Sequence, residues 1–401
     1  SLAQYDYVVV SPGVNLQQAF IRNYKNSENV IGDIELFARE LKRQNDLKKA
    51  PQKHTKVIAV TGSNGKSTVV DMLTKALTKA GLRVALGGNF GTSALSLLTQ
   101  EYDLFVLELS SFQLESTYSL HADVACILNV TSDHLDRHGN IENYTQIKHR
   151  IYKNAKHVIF NRDDELTAPE GSKTSYSIGL HKSLKPEVGH HYYQTDEGIF
   201  CGNNKLINKS SLNSNCQFQL LNMQVVLACT HILGLEYAPV VSALASYTGL
   251  PHRYELICRT RHVDWINDSK ATNPGACLAA IESASSSYEY IILIAGGDAK
   301  GADASILTKA IQQNVDMMYL MGKDAELFTQ FEIPYQYTIS LQDAVKKANE
   351  HVKKLLDEAA DSHVPNRPTI AVLLSPACAS IDMYPNFMAR GNEFKSLVQA
   401  L

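Results

Sequence analysis

Residues 57–80 constrain the fold more than any other stretch. Val57-Ile58-Ala59-Val60 is a buried-type strand, and the turn Thr61-Gly62-Ser63-Asn64-Gly65 follows it directly. A helix is predicted from about Lys66 to Ala80, with Val69, Val70, Leu73, Ala76, Leu77 and Ala80 on one face and Gly81 as its stop. A glycine-rich turn between strand and helix belongs in a parallel, doubly covered sheet. Such a turn exposes consecutive backbone N–H groups, and the helix N-terminus adds partial positive charge, so the pair forms a phosphate cradle. Gly62, Ser63, Asn64 and Gly65 would line it. Lys66 would reach the outer phosphates, and Ser67 or Thr68 could ligate Mg²⁺. The spacing is TGxxGKST, two residues shorter between glycines than the standard P-loop, with Val60 where that motif requires glycine.

The remaining chain repeats the strand–helix alternation. Strands are predicted at 82–86, 103–109, 123–130 and 157–160, with a second set at 263–266, 290–295, 316–321 and 369–374. Residues 172–218 are polar and rich in Tyr and Asn, and read as a small β-rich annex; 219–247 read as helical. The front is thinner. Tyr7–Val10 is a short strand, 16–25 and 31–43 are helical, and the polar stretch 44–56 suits a linker. About fifty residues with one clear strand bury little core. The expected division is therefore 1–48, an incomplete N-terminal domain; 49–248, a central nucleotide-binding domain; and 249–401, a second α/β domain opening at Gly249-Leu250-Pro251.

With 401 residues, two to four domains fit, three best. Lys plus Arg total 38 and Asp plus Glu 41. That balance argues against a chain-wide nucleic-acid or anionic-membrane binder. No apolar run approaches a membrane span, and the first residues lack a signal-peptide plan. Seven cysteines stand singly, with no CxxC pair, and read as reduced cytosolic thiols.

Further polar clusters follow apolar strands, where open α/β sheets bind ligands. Glu108, in Leu107-Glu108-Leu109-Ser110-Ser111-Phe112-Gln113, is either a Mg²⁺ ligand or a helix-capping carboxylate. Asp133, His134, Asp136 and His138 share one loop. Lys148, read from its surroundings alone, is an exposed helical lysine. In the last third, Trp265-Ile266-Asn267-Asp268-Ser269-Lys270-Ala271-Thr272-Asn273, Gly296–Lys300 and Ser375–Ser380 each close a strand. Taken singly each could be a capped turn; three in one unit suggest a site. Cys378 has no base partner and is not read as a nucleophile.

Together TGSNGKST (61–68), GNFG (88–91), LELSSFQLE (107–115), NVTSDHLDRHG (129–139), GLPHR (249–253), WINDSKATN (265–273), GGDAKGAD (296–303) and SPACASIDMYPNFMARGNEF (375–394) resemble the Mur ligases, in order and over essentially the whole chain. LELSSFQLE and the 375–394 segment resemble the D-glutamate-adding branch. The resemblance implies a three-domain α/β architecture: an N-terminal Rossmann-like domain, here lacking at least one βαβ unit of about 30 residues, a P-loop-type ATPase domain, and a C-terminal Rossmann-like domain. It implies a cytoplasmic, monomeric, ATP- and Mg²⁺-dependent ligase that joins D-glutamate to UDP-N-acetylmuramoyl-L-alanine through an acyl phosphate. The competing readings are a nucleotide-binding chain without turnover and another Mur or folylpolyglutamate-type ligase.

Residue roles follow from the same resemblance. Lys66 contacts the phosphates. Ser67 and Glu108 hold one Mg²⁺, while His134 and a carbamylated Lys148 serve a second. Ser11 and Gly13 face the uridine diphosphate. Asn89, Ser110, Gln113 and His134 lie along the muramoyl-alanine. Asn222, Arg253, Asp268 and Lys270 hold the nucleotide, and Thr272, Lys300, Ser380 and Phe387 form the D-Glu site.

Overall fold

In a computed structural model the described residues are 5–18, 21, 29–48, 54–171, 174–182, 190–212, 217–260, 262–361 and 368–401. They divide into two units, Ser1–Thr248 and Gly249–Leu401.

The first unit opens on a two-residue parallel pair, β1 (Val8–Val9) and β2 (Val30–Ile31). Its main sheet is built from β3 (Lys56–Thr61), β4 (Val84–Gly88), β5 (Leu104–Glu108), β6 (Val124–Ile127), β7 (His157–Asn161), β8 (Ser175–Ile178), β9 (His190–Thr195), β10 (Gly198–Cys201) and β11 (Asn204–Asn208). The order is β11-β10-β9-β8-β7-β6-β3-β5-β4. β4 to β9 are parallel with their neighbours, and β10 and β11 turn antiparallel. From β3 the chain moves to the β4 edge, returns through β5, then crosses to β6 on the other side. The turn after β3 therefore opens at the crevice where strand order reverses.

Side-chain alternation along β3 divides the core. Ile58 and Val60 face helix Lys66–Lys79 and the helices Gln217–Ile232 and Tyr237–Ala245, meeting Leu73, Val226 and Leu244. Val57 and Ala59 face the opposite layer with Phe105 and Leu107. Helix Asp33–Asp46 closes that second layer, burying Ile34, Phe37 and Leu41 there. The Phe37 ring stands edge-on to Phe105 at 5.3 Å. Each such side chain contributes about 1.5–3 kcal/mol.

Several sequence expectations change. Helix Asp33–Asp46 belongs to the core of the main sheet, because its apolar stripe has that sheet as partner. Within the expected linker 44–56 the helix continues to Asp46, and Thr55 is tied to Asn45 by two hydrogen bonds of 3.0 and 3.2 Å. The β-rich annex is the edge of the main sheet, since β8 pairs directly with β7. Most of the helix expected at 16–25 lies outside the described residues.

The second unit is a six-stranded sheet, β12 (Glu255–Arg259), β13 (Val263–Asn267), β14 (Tyr290–Ala295), β15 (Met317–Leu320), β16 (Tyr335–Tyr337) and β17 (Ile370–Leu374), ordered β12-β13-β17-β14-β15-β16. β12 is antiparallel to β13 and the rest are parallel. Helices Pro274–Ser285 and Thr308–Asn314 cover one face; Leu341–Asp361 and Phe387–Gln399 cover the other. The four central strands match the predicted set, and their carboxyl ends deliver Asp268, Gly296 and Ser375. β12 and β16 were not predicted: one is half-exposed and bulged, the other three exposed residues.

Candidate active site

The turn after β3 is fixed from two sides. Gly65 has φ +83°, and a Cβ there would meet the Asn222 Oδ1 at 3.3 Å. The positive φ favours glycine, and without a Cβ the Asn222 side chain approaches the loop closely. On the other side, the Asn64 N–H donates to Asn129 Oδ1 at 2.8 Å and the Ser63 N–H to the Asn129 carbonyl at 3.0 Å. Ser63 Oγ accepts from the Thr131 N–H at 2.9 Å and lies 3.3 Å from the Tyr144 hydroxyl. Lys66 folds over the turn, donating to the carbonyls of Gly62 at 2.7 Å and Ser63 at 2.9 Å. Ser67 and Thr68 are buried in the first turn of the helix.

Beside this turn Glu108, 2% exposed at the end of β5, accepts from Ser67 Oγ at 2.6 Å and from Asn89 Nδ2 at 2.7 Å. Gly88 permits the arrangement: φ is +101°, and a Cβ would lie 2.3 Å from the Glu108 carbonyl. Its absence lets the Asn89 N–H reach that same carbonyl at 2.9 Å. Glu108 does not cap the helix that follows it. The cap of helix Ser111–Glu115 is Ser110, in a capping box with Gln113. Gln113 also donates to Asp33 at 3.2 Å, so its carboxamide is held by protein partners.

Lys148 is 1% exposed, which overturns the reading of an exposed helical lysine. Its Nζ lies 4.4 Å from the Tyr144 ring centroid, and it has no hydrogen-bond or ion-pair partner among the described residues. Burial and then the Lys66 charge push its amine well below the ordinary lysine value, opposed only in part by Asp133. His134 is in the left-handed region at φ 55°, half-exposed, with its ring 4.9 Å from Phe112 and Nε2 3.7 Å from Asp133. The side chain of Asp136 lies outside the description. Ser11 and Gly13 shape a turn in which the Val14 N–H donates to the Ser11 carbonyl at 2.9 Å.

The Ser67 hydroxyl and the buried Glu108 carboxylate are hard oxygen donors of the kind Mg²⁺ takes. The free amine of Lys148 does not fit that cation. Its carbamate, an oxygen donor, would.

In the second unit Asp268 is buried after β13. Its Oδ2 accepts from Ser375 Oγ at 2.9 Å and Oδ1 from the Tyr254 N–H at 3.1 Å. Burial nevertheless raises its carboxyl to about 7, against those bonds and Arg253. Lys270 Nζ lies 4.5 Å from the Phe387 ring centroid. Thr272 follows through an N–H bond to the Lys270 carbonyl at 2.8 Å. Lys300 is exposed at φ 51°, its N–H on Asp298 at 2.9 Å. Ser380, 3% exposed, has its carbonyl accepting from the N–H groups of Met383 and Tyr384. Arg253 lies in the turn before β12, its N–H on the Leu250 carbonyl at 3.3 Å. Burial pushes the Cys378 thiol up to about 12, consistent with an inert role.

Three supporting residues had no role from sequence. Asn129 and Tyr144 hold the turn after β3; Tyr144 precedes Lys148 by four residues on one helix, a spacing that places them on one face. Arg390, 1% exposed, donates to Ser269 Oγ at 3.0 Å, its carbonyl at 2.9 Å and the Cys378 carbonyl at 3.2 Å, joining two of the strand-end loops. Burial lowers its guanidinium to about 10. Nothing in ARGNEF marked that arginine as buried.

The glycine turn after β3 with the buried Ser67–Glu108–Asn89 group beside it, and in the second unit the polar loops after parallel strands, belong to a nucleotide-binding class of α/β protein. Residues 60–230 match the Mur ligase middle domain, and residues 252–378 match the Mur ligase, glutamate ligase domain. The chain belongs to the Mur ligase family, whose members are ATP-dependent, Mg²⁺-dependent amide-bond-forming enzymes. It is 39% identical over 401 residues to the UDP-N-acetylmuramoylalanine–D-glutamate ligase of Shewanella violacea, covering all of this chain and 83% of that one. It is 40% identical over 412 residues to the ligase of the same name from Nitrosococcus oceani, covering all of this chain and 84% of that one. The fold is shared with UDP-N-acetylmuramate-alanine ligase MurC from Thermotoga maritima (TM-score 0.60, 17% identity, 100% and 87% of the two chains). It is shared equally with the ADP complex of E. coli FolC (TM-score 0.62, 18% identity, 97% and 99%).

Proposed function

We infer that this chain joins D-glutamate to UDP-N-acetylmuramoyl-L-alanine at the expense of ATP, in the cytoplasmic synthesis of peptidoglycan precursors, acting as a monomer. The observation that carries this reading is the buried Ser67–Glu108–Asn89 group beside the phosphate turn, in a chain whose full-length relatives are D-glutamate ligases.

The L-alanyl carboxylate of the substrate attacks the γ-phosphorus of ATP. An O–P bond forms, the β–γ bridge breaks, and ADP leaves. The D-Glu amine then attacks the carbonyl carbon of the acyl phosphate, loses a proton, and inorganic phosphate departs with the C–O bond. All reactants are anionic, so catalysis is charge neutralisation and positioning. Bound Mg²⁺ supplies positive charge to the phosphate oxygens.

The turn Gly62–Thr68 and Lys66 bind the triphosphate. Ser67 and Glu108 hold one Mg²⁺; His134 and Lys148 serve the second. The neutral amine of Lys148 attacks CO₂, forms an N–C bond and releases one proton, giving a carbamate with two oxygen donors. Its burial supports this step, because only the unprotonated amine is nucleophilic. Ser11 and Gly13 face the uridine diphosphate. Asn89, Ser110 and His134 lie along the muramoyl-alanine, with Gln113 holding Ser110. Asn222, Arg253, Asp268 and Lys270 bind nucleotide. Thr272, Lys300, Ser380 and Phe387 receive D-Glu, the last two around its side-chain carboxylate.

Phosphate release from ATP with UDP-N-acetylmuramoyl-L-alanine, measured with D-Glu, with L-Glu and with no amino acid, tests the reading. Release that requires D-Glu is expected. ATP binding without D-Glu-dependent release would mean a nucleotide-binding chain and overturn it.

A further inference from the structure

One side chain joins the Ser11–Val14 turn to the loop that carries His134. Arg137 stands three residues after His134, on the single turn Leu135–His138, and its side chain is 9% exposed. Its Nη2 donates to the Val14 carbonyl at 2.8 Å, and Nη1 reaches the Gly13 carbonyl at 3.5 Å. The same guanidinium pairs with Glu115, Nη2 to Oε2 at 2.5 Å and Nε to Oε1 at 3.3 Å. Its face covers the Phe112 ring at 4.6 Å, and that ring is the one packed on His134.

Glu115 is braced in turn. His138 Nδ1 lies 3.2 Å from Oε1, and His138 Nε2 meets Ser111 Oγ at 3.0 Å. Arg150 donates to the Glu115 carbonyl at 2.8 Å and the Thr117 carbonyl at 2.9 Å. Burial works to raise the Glu115 carboxyl, but the neighbouring His138 ring and the Arg137 guanidinium outweigh it and hold the group below its ordinary value.

A buried ion pair is a poor device for stability, since well-packed apolar residues serve as well. What a planar guanidinium fork adds is direction: it fixes each partner's position relative to the others. Here the partners are the turn on the nucleotide-sugar side, the helix that follows Glu108, and the ring under His134. We propose that Arg137 and Glu115 are positioning residues that couple occupancy of the Ser11–Val14 turn to the placement of His134. Binding energy from the uridylyl end of the substrate is thereby realised in the phosphoryl-transfer step. This rests on the ligase reading and on the placement of Ser11 and Gly13 given above.

The test compares kcat on UDP-N-acetylmuramoyl-L-alanine with kcat on N-acetylmuramoyl-L-alanine 1-phosphate, which lacks the uridylyl group. It uses the unaltered chain, Arg137→Lys and Glu115→Gln. The unaltered chain should turn over the full substrate at least about tenfold faster. Both variants should bring that ratio to within about twofold of one, mainly by lowering kcat on the full substrate. The double variant should be no worse than either single one. A packing defect lowers both rates together and leaves the ratio intact, so a retained ratio overturns the coupling. A ratio already near one in the unaltered chain overturns it as well. Should Arg137→Lys fail to fold, Glu115→Gln carries the comparison alone. Absence of D-Glu-dependent phosphate release from the unaltered chain on either substrate defeats the ligase reading instead.

Discussion

Replacing Lys148 by methionine should abolish activity and stabilise the chain. In CO₂-free buffer the amine of Lys148 is buried over Tyr144 with no hydrogen-bond acceptor at bonding distance among the described residues. Burial disfavours the charged amine, which is why its pKa is lowered, and methionine fills the same volume without that cost. A neutral amine makes no cation–π attraction to the ring, so little is lost in exchange. The gain should appear as a rise of roughly 2–4 °C in the unfolding midpoint per kcal/mol.

The pH dependence gives a sharper check. The folded-state pKa of Lys148 lies below the ordinary value of 10.5. The unfolded chain therefore binds the extra proton between those two values, and stability rises with pH through that window, by up to about 1.4 kcal/mol per pH unit. Above 10.5 the penalty vanishes; below the folded value it is constant. The advantage of Lys148→Met should thus shrink as pH rises from 8 toward 10. Urea unfolding at several pH values, on both chains, measures it. A variant less stable than the parent by more than about 1 kcal/mol, or an advantage that does not change with pH, would mean that the buried Lys148 amine carries no such penalty.

Three further outcomes follow from the same geometry. Lys66→Ala should lower D-Glu-dependent phosphate release by at least about a hundredfold; near-normal turnover would remove the phosphate-cradle assignment. Ser380→Ala should raise the KM for D-Glu more than that for ATP, and the reverse would displace Ser380 from the amino-acid site. Asp268, whose carboxyl is raised from 3.8 to about 7, stabilises the second unit below pH 4 and loses that contribution as pH climbs through 7. Asp268→Asn should flatten that fall, worth at most about 4 kcal/mol, in unfolding measured between pH 5 and 8; an unchanged slope counts against the burial argument.

The parts of the fold legible in sequence are those with strong local signals. The phosphate turn and its helix follow from Val57–Ala80 alone, and the four central strands of the second unit stand out as apolar runs. Features settled by tertiary packing did not. Helix Asp33–Asp46 has an unmistakable apolar stripe, but nothing local says which sheet receives it. β8 to β11 lack apolar runs because they form a sheet edge, and so resembled a separate element. The burial of Lys148 is likewise invisible locally, since a helical lysine between Ile147 and His149 carries no mark of depth; only resemblance to a family pointed to it. Glu115 and Arg137 sit within recognised motifs, yet their pairing depends on how two loops meet.

If the substrate carboxylate is phosphorylated before the amine attacks, one of its oxygens must leave with the phosphate. With ¹⁸O in the L-alanyl carboxylate of UDP-N-acetylmuramoyl-L-alanine, turnover in the presence of ATP and D-Glu should deliver one labelled oxygen to each released phosphate. The amide product should keep the other. Unlabelled phosphate formed at the same rate as product would rule out the acyl phosphate.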